Sequence, residues 1–533
     1  MKAVTVIGSG ASAVHFAQTA LERGWSVTLL DVGRARPANV RPELGFSGLK
    51  SQHAQSSEYF LGDAFEGVLF PGAPGEYYGF PPHKKYVFEP HPLLETHAAG
   101  LEPLLSYARG GLAEAWTGAV FPFSDGELRD WPIGHADLAP HYDVVAQRIG
   151  IAGAEDDLAR FVPPHAHMDP PLDLDPHSRK LLERYERVRA KLNGALGVFV
   201  GRTRAAVLTR PRAERKACDF KGRCLWGCPN DAIWSPLFTL RELERHADFR
   251  YVPGVFVQSF EAADSGKVLA LHVEHASGAQ ERIPIERLVL AAGTLASSRI
   301  VLKSLARAGD PQPELTGLMD NRQVLVPFVN FSMLRERVVL DSYQYHQLAL
   351  GFAAPDAREY VHGLITTLKS ALLHPIVQNV PLDLRAALDV TRNAHAALGI
   401  VNLNFHDTRR AENRLRLERE DKLSRLVLHY APDAAEPQRI RAALKKAKRA
   451  LRHLGCFVPP GMTHVRPMGA SVHYAGTLPM AAQGGALTTT PTCKSRAFEN
   501  LWLADGATFP FLPAKNLTFT LMANASRIAA TDF

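Results

Sequence analysis

The first 31 residues constrain the fold more than any other stretch of the chain. Residues 3–7, AVTVI, are apolar and β-rich and predict a buried strand, and residues 26–30 predict a second strand that ends at Asp31. Between them, residues 8–13 read GSGASA, which matches G-x-G-x-x-A, and an apolar helical run follows. This order of strand, glycine turn, helix and strand is the context that the dinucleotide-binding fingerprint requires. We therefore expect an α/β, Rossmann-like domain that binds a dinucleotide.

Each residue of the fingerprint has a physical task. Gly8 permits a tight turn, and Gly10 allows the backbone to approach a pyrophosphate that is also held by the amides at the start of the helix. Ala13 is small enough for close packing of the helix on the strand. Asp31 lies where a carboxylate can accept a hydrogen bond from a ribose hydroxyl. The fingerprint alone does not distinguish NAD from FAD.

Composition places the rest of the chain among ordinary globular proteins. The 533 residues are 46% apolar, which is enough for several domains, and five cysteines are too few for a disulfide framework. No run of about eighteen apolar residues predicts a membrane span. A strand predicted from residue 3 onwards leaves no room for a signal peptide, so we expect a cytoplasmic protein.

The net charge of +7 raises the question of a nucleic-acid partner. The clearest basic cluster, residues 437–455, has apolar residues at helical spacing, and its lysines and arginines fall mostly on the other face. A solvated helix face explains this pattern better than an anionic partner does. We expect no nucleic acid.

Four further stretches resemble one family. They are ARGGLAEAWTGAVFPF (108–123), VPGVFVQSF (252–260), RLVLAAGTLASSRIVLKS (287–304), and a C-terminal part with SVHYAGTLPM (471–480) and residues 500–529. In this order, from residue 2 to the end, the chain resembles the glucose–methanol–choline (GMC) family of flavin oxidoreductases. The resemblance is weakest over residues 310–450.

The resemblance implies a fold of two parts. Residues 1–160, 205–310 and 460–533 would form a discontinuous FAD-binding domain, and residues 161–204 and 311–459 a substrate-binding domain around an antiparallel sheet. Within the second part, residues 323–334 and 425–432 predict strands, and residues 437–455 predict a helix across the sheet.

The resemblance also selects FAD rather than NAD. Residues 255–257 would lie over the adenine, the glycine pair 110–111 and Trp116 near the isoalloxazine, and Asp505 with Gly506 near the ribityl chain and pyrophosphate. The residues expected to contact or shape the cofactor site are Gly8, Gly10, Ala11, Ser12, Ala13, Asp31, Gly110, Gly111, Trp116, Val255, Val257, Gly293, Asp505, Gly506 and Asn516.

The family removes a hydride from a CH–OH carbon, and its catalytic pair is a His in H-x-x-G-T with a His or Asn about forty residues later. Here His473 and Asn516 occupy these positions. A neutral imidazole, with an ordinary pKa of about 6.5, can accept the hydroxyl proton, and an amide can orient the same oxygen without titrating. The chain departs from the family in one respect, because Leu517 follows Asn516 where a proline is usual. This change adds a backbone N–H and frees φ.

Three nearby residues have weaker claims. His464 competes with His473, although a structural or pocket-lining role explains it better. Glu114 and Trp116 stand beside the glycine pair and could line the site.

Three cysteines form a second motif. Cys218, Cys224 and Cys228 match the ferredoxin run C-x2-C-x2-C-x3-C-P except that Lys221 stands at the second cysteine. The spacing also resembles the catalytic subunit of bacterial FAD-dependent glucose dehydrogenases, in which such cysteines carry a [3Fe-4S] cluster. A structural loop is the preferred interpretation, ahead of a cluster and of zinc, for which no nearby histidine supplies a fourth ligand.

The expected function is oxidation of a small-molecule alcohol or sugar, with oxygen, a quinone or dye, or a protein as electron acceptor. Two alternatives remain at this point. One is a non-redox lyase of the same family that retains FAD. The other is a flavin and iron–sulfur dehydrogenase subunit that passes electrons to a protein partner.

Overall fold

The computed structural model describes residues 2–37, 43–68, 76, 78–369, 373–378, 380–420 and 423–533. A five-stranded sheet contains the predicted fingerprint, and all of its neighbouring strands are parallel. From one edge to the other its strands are Leu501–Leu503, Leu288–Leu290, Ala3–Ile7, Ser26–Leu30 and Phe249–Val252. Because these strands come from four separated stretches of the chain, the sheet is assembled from distant parts of the sequence. We call it the parallel sheet.

Helices cover one face of the parallel sheet. The helices Ala11–Glu22, His135–Ile149 and Thr518–Asp532 share a core with its strands, and Ala13, Val14, Phe16 and Ala17 of the first helix are fully buried. The other face packs against a three-stranded sheet of Val255–Ala262, Val268–His275 and Gln280–Pro284, and against the helix Thr294–Arg307.

A second large sheet is antiparallel throughout. Its strands are Val198–Arg202, Gln323–Asn330, Leu348–Phe352, Val361–Thr367, Leu398–Asn404, Cys456–Phe457 and His464–Val465. The helices Pro176–Lys191 and Glu436–His453 share its core, with Ile440, Ala447 and Leu451 of the second helix buried. We call it the antiparallel sheet.

Two predicted elements differ in detail. The strand expected over residues 323–334 ends at Asn330 and is followed by a 3-10 turn, Phe331–Met333, in which Phe331 is exposed. The strand expected near residues 425–432 spans Leu423–His429 and lies outside the antiparallel sheet. It forms a hairpin with Arg414–Glu420 in a four-stranded sheet completed by Glu314–Thr316 and Glu95–Ala99.

Short elements complete the described chain. None of the described helices combines the length and apolarity needed to cross a membrane. The remaining α-helices are Phe46–Ser51, Ser56–Leu61, Lys85–Phe88, Pro236–Leu243, His374–Val377 and Leu384–Ala394. The remaining strand pairs are Met319–Asp320 with Tyr474–Ala475, Asp407–Thr408 with Phe511–Leu512, and Ile151–Ala152 with Met168–Asp169.

The division into an FAD-binding and a substrate-binding domain with the boundaries given above stays a prediction.

Candidate active site

A cavity of about 540 Å³ lies between the parallel and antiparallel sheets. On one side it is lined by residues at the carboxyl ends of four parallel strands, among them Ile7, Leu30, Ala292 and Asp505. On the other side it is lined by residues of three antiparallel strands, which are Gln323, Leu325, Leu364, Thr366, Ile400 and Asn402. The carboxyl edge of a parallel sheet is where α/β proteins bind their ligands.

The glycine turn has the shape that the fingerprint predicts. Gly8 has φ +102°, and a Cβ there would lie 2.7 Å from the backbone oxygen of Ala291, so a side chain would collide with the neighbouring loop. A Cβ on Gly10 would meet only the oxygen of Gly110, at 4.0 Å. Gly10 precedes the helix Ala11–Glu22, whose N-terminus receives no side-chain cap from the described residues. The first amides of this helix are therefore available to a phosphate at the cavity wall.

Asp31 ends the second strand and lines the cavity. Its Oδ2 accepts hydrogen bonds from Ser9 Oγ and, at 3.2 Å, from the Tyr251 hydroxyl. Burial raises the pKa of Asp31 to about 6, while these hydroxyls act in the opposite direction. Ser9 also accepts a hydrogen bond of 2.9 Å from the Gly110 amide, which links the glycine turn to the glycine pair.

Asp505 is a second buried carboxyl group on the same side. It accepts hydrogen bonds from Ser297 Oγ at 2.5 Å and from the amides of Gly293 and Ala507 at 3.0 Å. Burial raises its pKa to about 6. Gly293 has φ +89°, and a Cβ there would meet no described atom within 4 Å, so the cavity is open at this point too.

The other predicted cofactor residues are mostly at the cavity. Those that line it are Ala11, Ser12, Gly111, Trp116, Val255, Val257, Gly506 and Asn516. Trp116 is anchored there because its Nε1 donates a 2.7 Å hydrogen bond to the Trp234 carbonyl. Gly110 and Ala13 stand behind the wall. The Gly110 amide donates a hydrogen bond to Ser9 Oγ, and Ala13 is packed fully inside the helix–sheet core.

These features fit an adenine dinucleotide such as FAD. The uncapped helix N-terminus and the open space at Gly10 suit a pyrophosphate, and Asp31 offers a carboxylate oxygen to a ribose. Val255 and Val257 add an apolar strip beside Asp31 at which a base can lie.

His473 faces the same cavity at a strained turn. It follows Val472, a β-branched residue with φ +62°, which is a conformation that such residues rarely adopt. The Nδ1 atom of His473 lies 3.0 Å from Oδ1 of Asn321, and Nε2 has no hydrogen-bond partner among the described residues. Burial lowers the pKa of His473 to about 4, below the ordinary value on which the sequence argument relied. The imidazole is therefore neutral throughout the neutral pH range.

Asn516 also lines the cavity, and its Oδ1 is buried without a hydrogen-bond partner among the described residues. A buried amide oxygen without a hydrogen-bond donor raises the free energy of the folded protein, so a donor group of a bound ligand would stabilise the site. The preceding residue, Lys515, is fully buried and pairs with Glu127 at 2.5 Å while donating to the carbonyls of Pro122 and Phe161. This ion pair anchors the backbone that carries Asn516, in the absence of the usual proline.

Two other residues singled out in the sequence lie away from the cavity. The exposed His464 pairs with Glu76 at 2.8 Å on an edge strand and does not line it. Glu114 is buried behind the glycine pair, where Arg36 lies 2.6 Å away. Burial alone would raise the pKa of Glu114, but Arg36 and Lys84 hold it below its ordinary value.

The three cysteines pack around Ala205, Val207, Ala232 and Tyr343. Burial raises the pKa of all three thiols, that of Cys218 to about 11, and the Gln344 amide donates to Cys224 Sγ at 3.4 Å. Among the described residues, no three His, Cys, Asp or Glu side chains are grouped so that they could hold a metal ion.

Several lining residues were missed by the sequence argument. Arg466 lines the cavity and pairs with Glu76 at 2.7 Å, and Asn402 has a buried Oδ1 without a partner among the described residues. Tyr345 and His346 also line it, and Nδ1 of His346 lies 2.7 Å from Thr366 Oγ1. No motif marks these positions, although Tyr345 and His346 lie in a stretch, residues 341–352, that mixes polar and aromatic side chains.

Known proteins are similar to this chain over most of its length. A family model described as GMC oxidoreductase matches residues 409–525. The 6'''-hydroxyparomomycin C oxidase of Streptomyces lividus is 23% identical over 76% of this chain and 74% of its own length. The paromamine 6'-oxidase of Streptomyces fradiae is 24% identical over 78% of this chain and 75% of its own.

Solved structures agree on the fold. Pyridoxine 4-oxidase from Mesorbium loti superposes with a TM-score of 0.61 at 14% identity, covering 99% of both chains. A formate oxidase superposes with a TM-score of 0.60 at 10% identity, covering 99% of this chain and 98% of its own. The C-terminal part of the chain thus matches the GMC oxidoreductase family model, in agreement with the family that the motifs predicted. The relatives and solved structures given above are oxidases by name.

Proposed function

We propose that this enzyme oxidises the CH–OH group of a small uncharged alcohol to a carbonyl, with His473 as the base and Asn516 as the residue that orients the hydroxyl. The observation that carries the proposal is that both side chains line the cavity which the fingerprint residues also line. When bound, FAD supplies the acceptor for the hydride that leaves the alcohol carbon.

The chain's own residues would handle the proton. As the hydride leaves, the hydroxyl proton passes to the unpartnered Nε2 of His473, which is neutral because burial keeps its pKa low. The Asn516 amide would hold the hydroxyl beside the imidazole by donating from Nδ2 to the hydroxyl oxygen, which leaves the hydroxyl proton for His473. The product is then a carbonyl compound, and His473 carries the proton until it is released.

This role of His473 is tested by His473→Ala in the FAD-loaded enzyme. Anaerobic stopped-flow measurement of flavin reduction should show a loss of at least about a hundredfold, because a general base contributes on that order, while FAD content stays normal. In the unmodified enzyme the rate should fall only as the pH drops towards about 4, where His473 takes up a proton. His464→Ala is the matched control, since that histidine is exposed and lies off the cavity. Near-normal reduction by His473→Ala would refute the proposal.

The substrate side of the cavity favours an uncharged molecule. The only carboxylates among the described lining residues are Asp31 and Asp505, both on the fingerprint side. The positive charge of Arg466 is balanced by Glu76, and the rest of that wall mixes apolar side chains with uncharged polar ones such as Gln323, Thr366 and Asn402. A buried cation would remain unpaired there, which is strongly unfavourable. The name paromamine 6'-oxidase gives paromamine as that relative's substrate, and the described residues of this wall offer a charged amine no partner carboxylate.

Substrate class is tested with primary alcohols matched in size, one neutral and one carrying an ammonium group. The neutral member should reduce the flavin at least about tenfold more efficiently, since an unpaired buried charge costs more than the 1.4 kcal/mol that a factor of ten represents. The efficiency of oxidation is measured as kcat/KM for each of the two alcohols. A preference for the ammonium member would contradict the uncharged substrate and leave alcohol oxidation itself intact.

A further inference from the structure

We propose that Asn321 is a positioning residue that holds the His473 imidazole in the tautomer protonated at Nδ1, so that Nε2 is left as the base. The inference rests on the proposed role of His473. It concerns a residue that no motif of the sequence identifies.

The orientation of the Asn321 amide is determined by its other partners. Its Nδ2 donates hydrogen bonds to two backbone carbonyls, that of Phe405 at 2.7 Å and that of Pro513 at 3.0 Å. Turning the amide over would place its oxygen against both carbonyl oxygens, so the assignment of oxygen and nitrogen is settled by the network. Oδ1 therefore faces His473, and it can only accept.

The ring of His473 must then donate. Oδ1 of Asn321 lies 3.0 Å from Nδ1 of His473, and an amide oxygen carries no hydrogen, so Nδ1 bears the proton. A neutral imidazole has a single N–H. Its Nε2 is consequently unprotonated and has a lone pair directed away from Asn321. An ordinary histidine would divide its population between two tautomers, and only one of these can act as a base at Nε2.

The backbone of His473 is held by the residue next to Asn321. Asp320 is fully buried, and it accepts hydrogen bonds from the Gly469 amide at 2.5 Å and from Ser471 Oγ. Ser471 in turn accepts a 2.9 Å hydrogen bond from the His473 amide. These bonds hold the turn in which Val472 has a positive φ. Asp320 and Asn321 thus position the backbone and the ring of the same histidine.

An amide suits this task better than a carboxylate does. Asn321 is buried and has no charge, so it orients the imidazole without adding a negative charge that would favour its protonated form. Titratable groups elsewhere in this region include Asp320, Asp407, His346, His362, Arg466 and Lys515. Burial is the cause of the low pKa of His473 itself.

The tautomer can be observed directly in the holoenzyme labelled with 15N-histidine. A long-range 1H–15N correlation spectrum at neutral pH distinguishes a protonated ring nitrogen from a bare one, and the signals absent from His473→Gln identify the residue. We expect Nδ1 protonated and Nε2 bare. Protonation at Nε2 in the unmodified holoenzyme would overturn the inference, and this result needs no variant at position 321.

Asn321→Leu removes the acceptor at nearly constant volume. We expect mixed tautomers and a fall of about tenfold or more in flavin reduction, with FAD content retained. Asn413→Leu is the matched control, because Asn413 is equally buried and binds the backbone of Leu318 and Ala431 but not His473. An unchanged spectrum and rate in Asn321→Leu, or the same loss in Asn413→Leu, would contradict the inference. If His473→Ala reduces flavin normally, it is the proposed function that fails, whatever the tautomer.

Discussion

At the scale of single residues, Gly8 shows how a backbone position limits the side chain that it can carry. It combines a positive φ of +102° with close approach to the backbone of Ala291 and Ala292. Neighbouring backbone cannot move aside as the end of a flexible side chain can. The first strand lies next to Leu288–Leu290, and this places Gly8 against the loop after Leu288–Leu290. Glycine is required at position 8 because of that contact.

We predict that Gly8→Ala lowers the free energy of unfolding more than Gly24→Ala does. Both glycines have positive φ, but a Cβ on Gly24 would meet no described atom within 4 Å. Gly24→Ala should cost about 1–2 kcal/mol from conformational strain alone. Gly8→Ala should cost about 1–3 kcal/mol more, because atoms are forced together in a packed region. Urea unfolding of the two variants measures the difference, and equal losses would show that the close contact is relieved at no cost.

The residues at the site differ in how far the sequence could predict them. His473, Asn516, Asp31 and the glycine turn stand in motifs with a known spacing, and the structure places all of them at one cavity. Asn321 and Asp320 could not be predicted in this way. They act through partners about 150 positions away, Ser471 and His473, and no local pattern encodes such a contact.

At the scale of elements, hydrophobic periodicity predicted which segments form helices and strands, but it did not predict which strands pair with each other. The helix Glu436–His453 was predicted from apolar residues at helical spacing, and its buried face is the predicted one. Its exposed lysines and arginines, such as Lys445, Lys448 and Arg449, agree with a solvated face. Residues Leu423–His429 were also predicted to form a strand, but the alternation of their apolar residues does not indicate which strand they pair with. It pairs with its sequence neighbour, Arg414–Glu420, because a hairpin needs only a short connection.

At the scale of the whole molecule, the cavity depends on stretches that are far apart in the chain. The fingerprint side uses strands from residues 3–30, 288–290 and 501–503, and the opposite wall uses residues 323–402. A ligand in this cavity would contact stretches separated by several hundred residues. Since the unfolded chain cannot bring them together, such a ligand binds the folded state alone and stabilises it.

We therefore predict that removing FAD lowers the thermal stability of the whole protein, and that adding FAD restores it in proportion to its concentration. A ligand that binds only the folded state at about a hundred times its Kd stabilises it by about 2.7 kcal/mol. ADP is the matched control, because it can occupy the region of the fingerprint and Asp31 without reaching His473 and Asn516. It should raise the Tm of the apoprotein by less than FAD does at saturation. An identical Tm for the apoprotein with and without FAD would mean that the parallel sheet does not hold the cofactor. Equal shifts from ADP and FAD would mean that the far end of the cavity contributes nothing to binding.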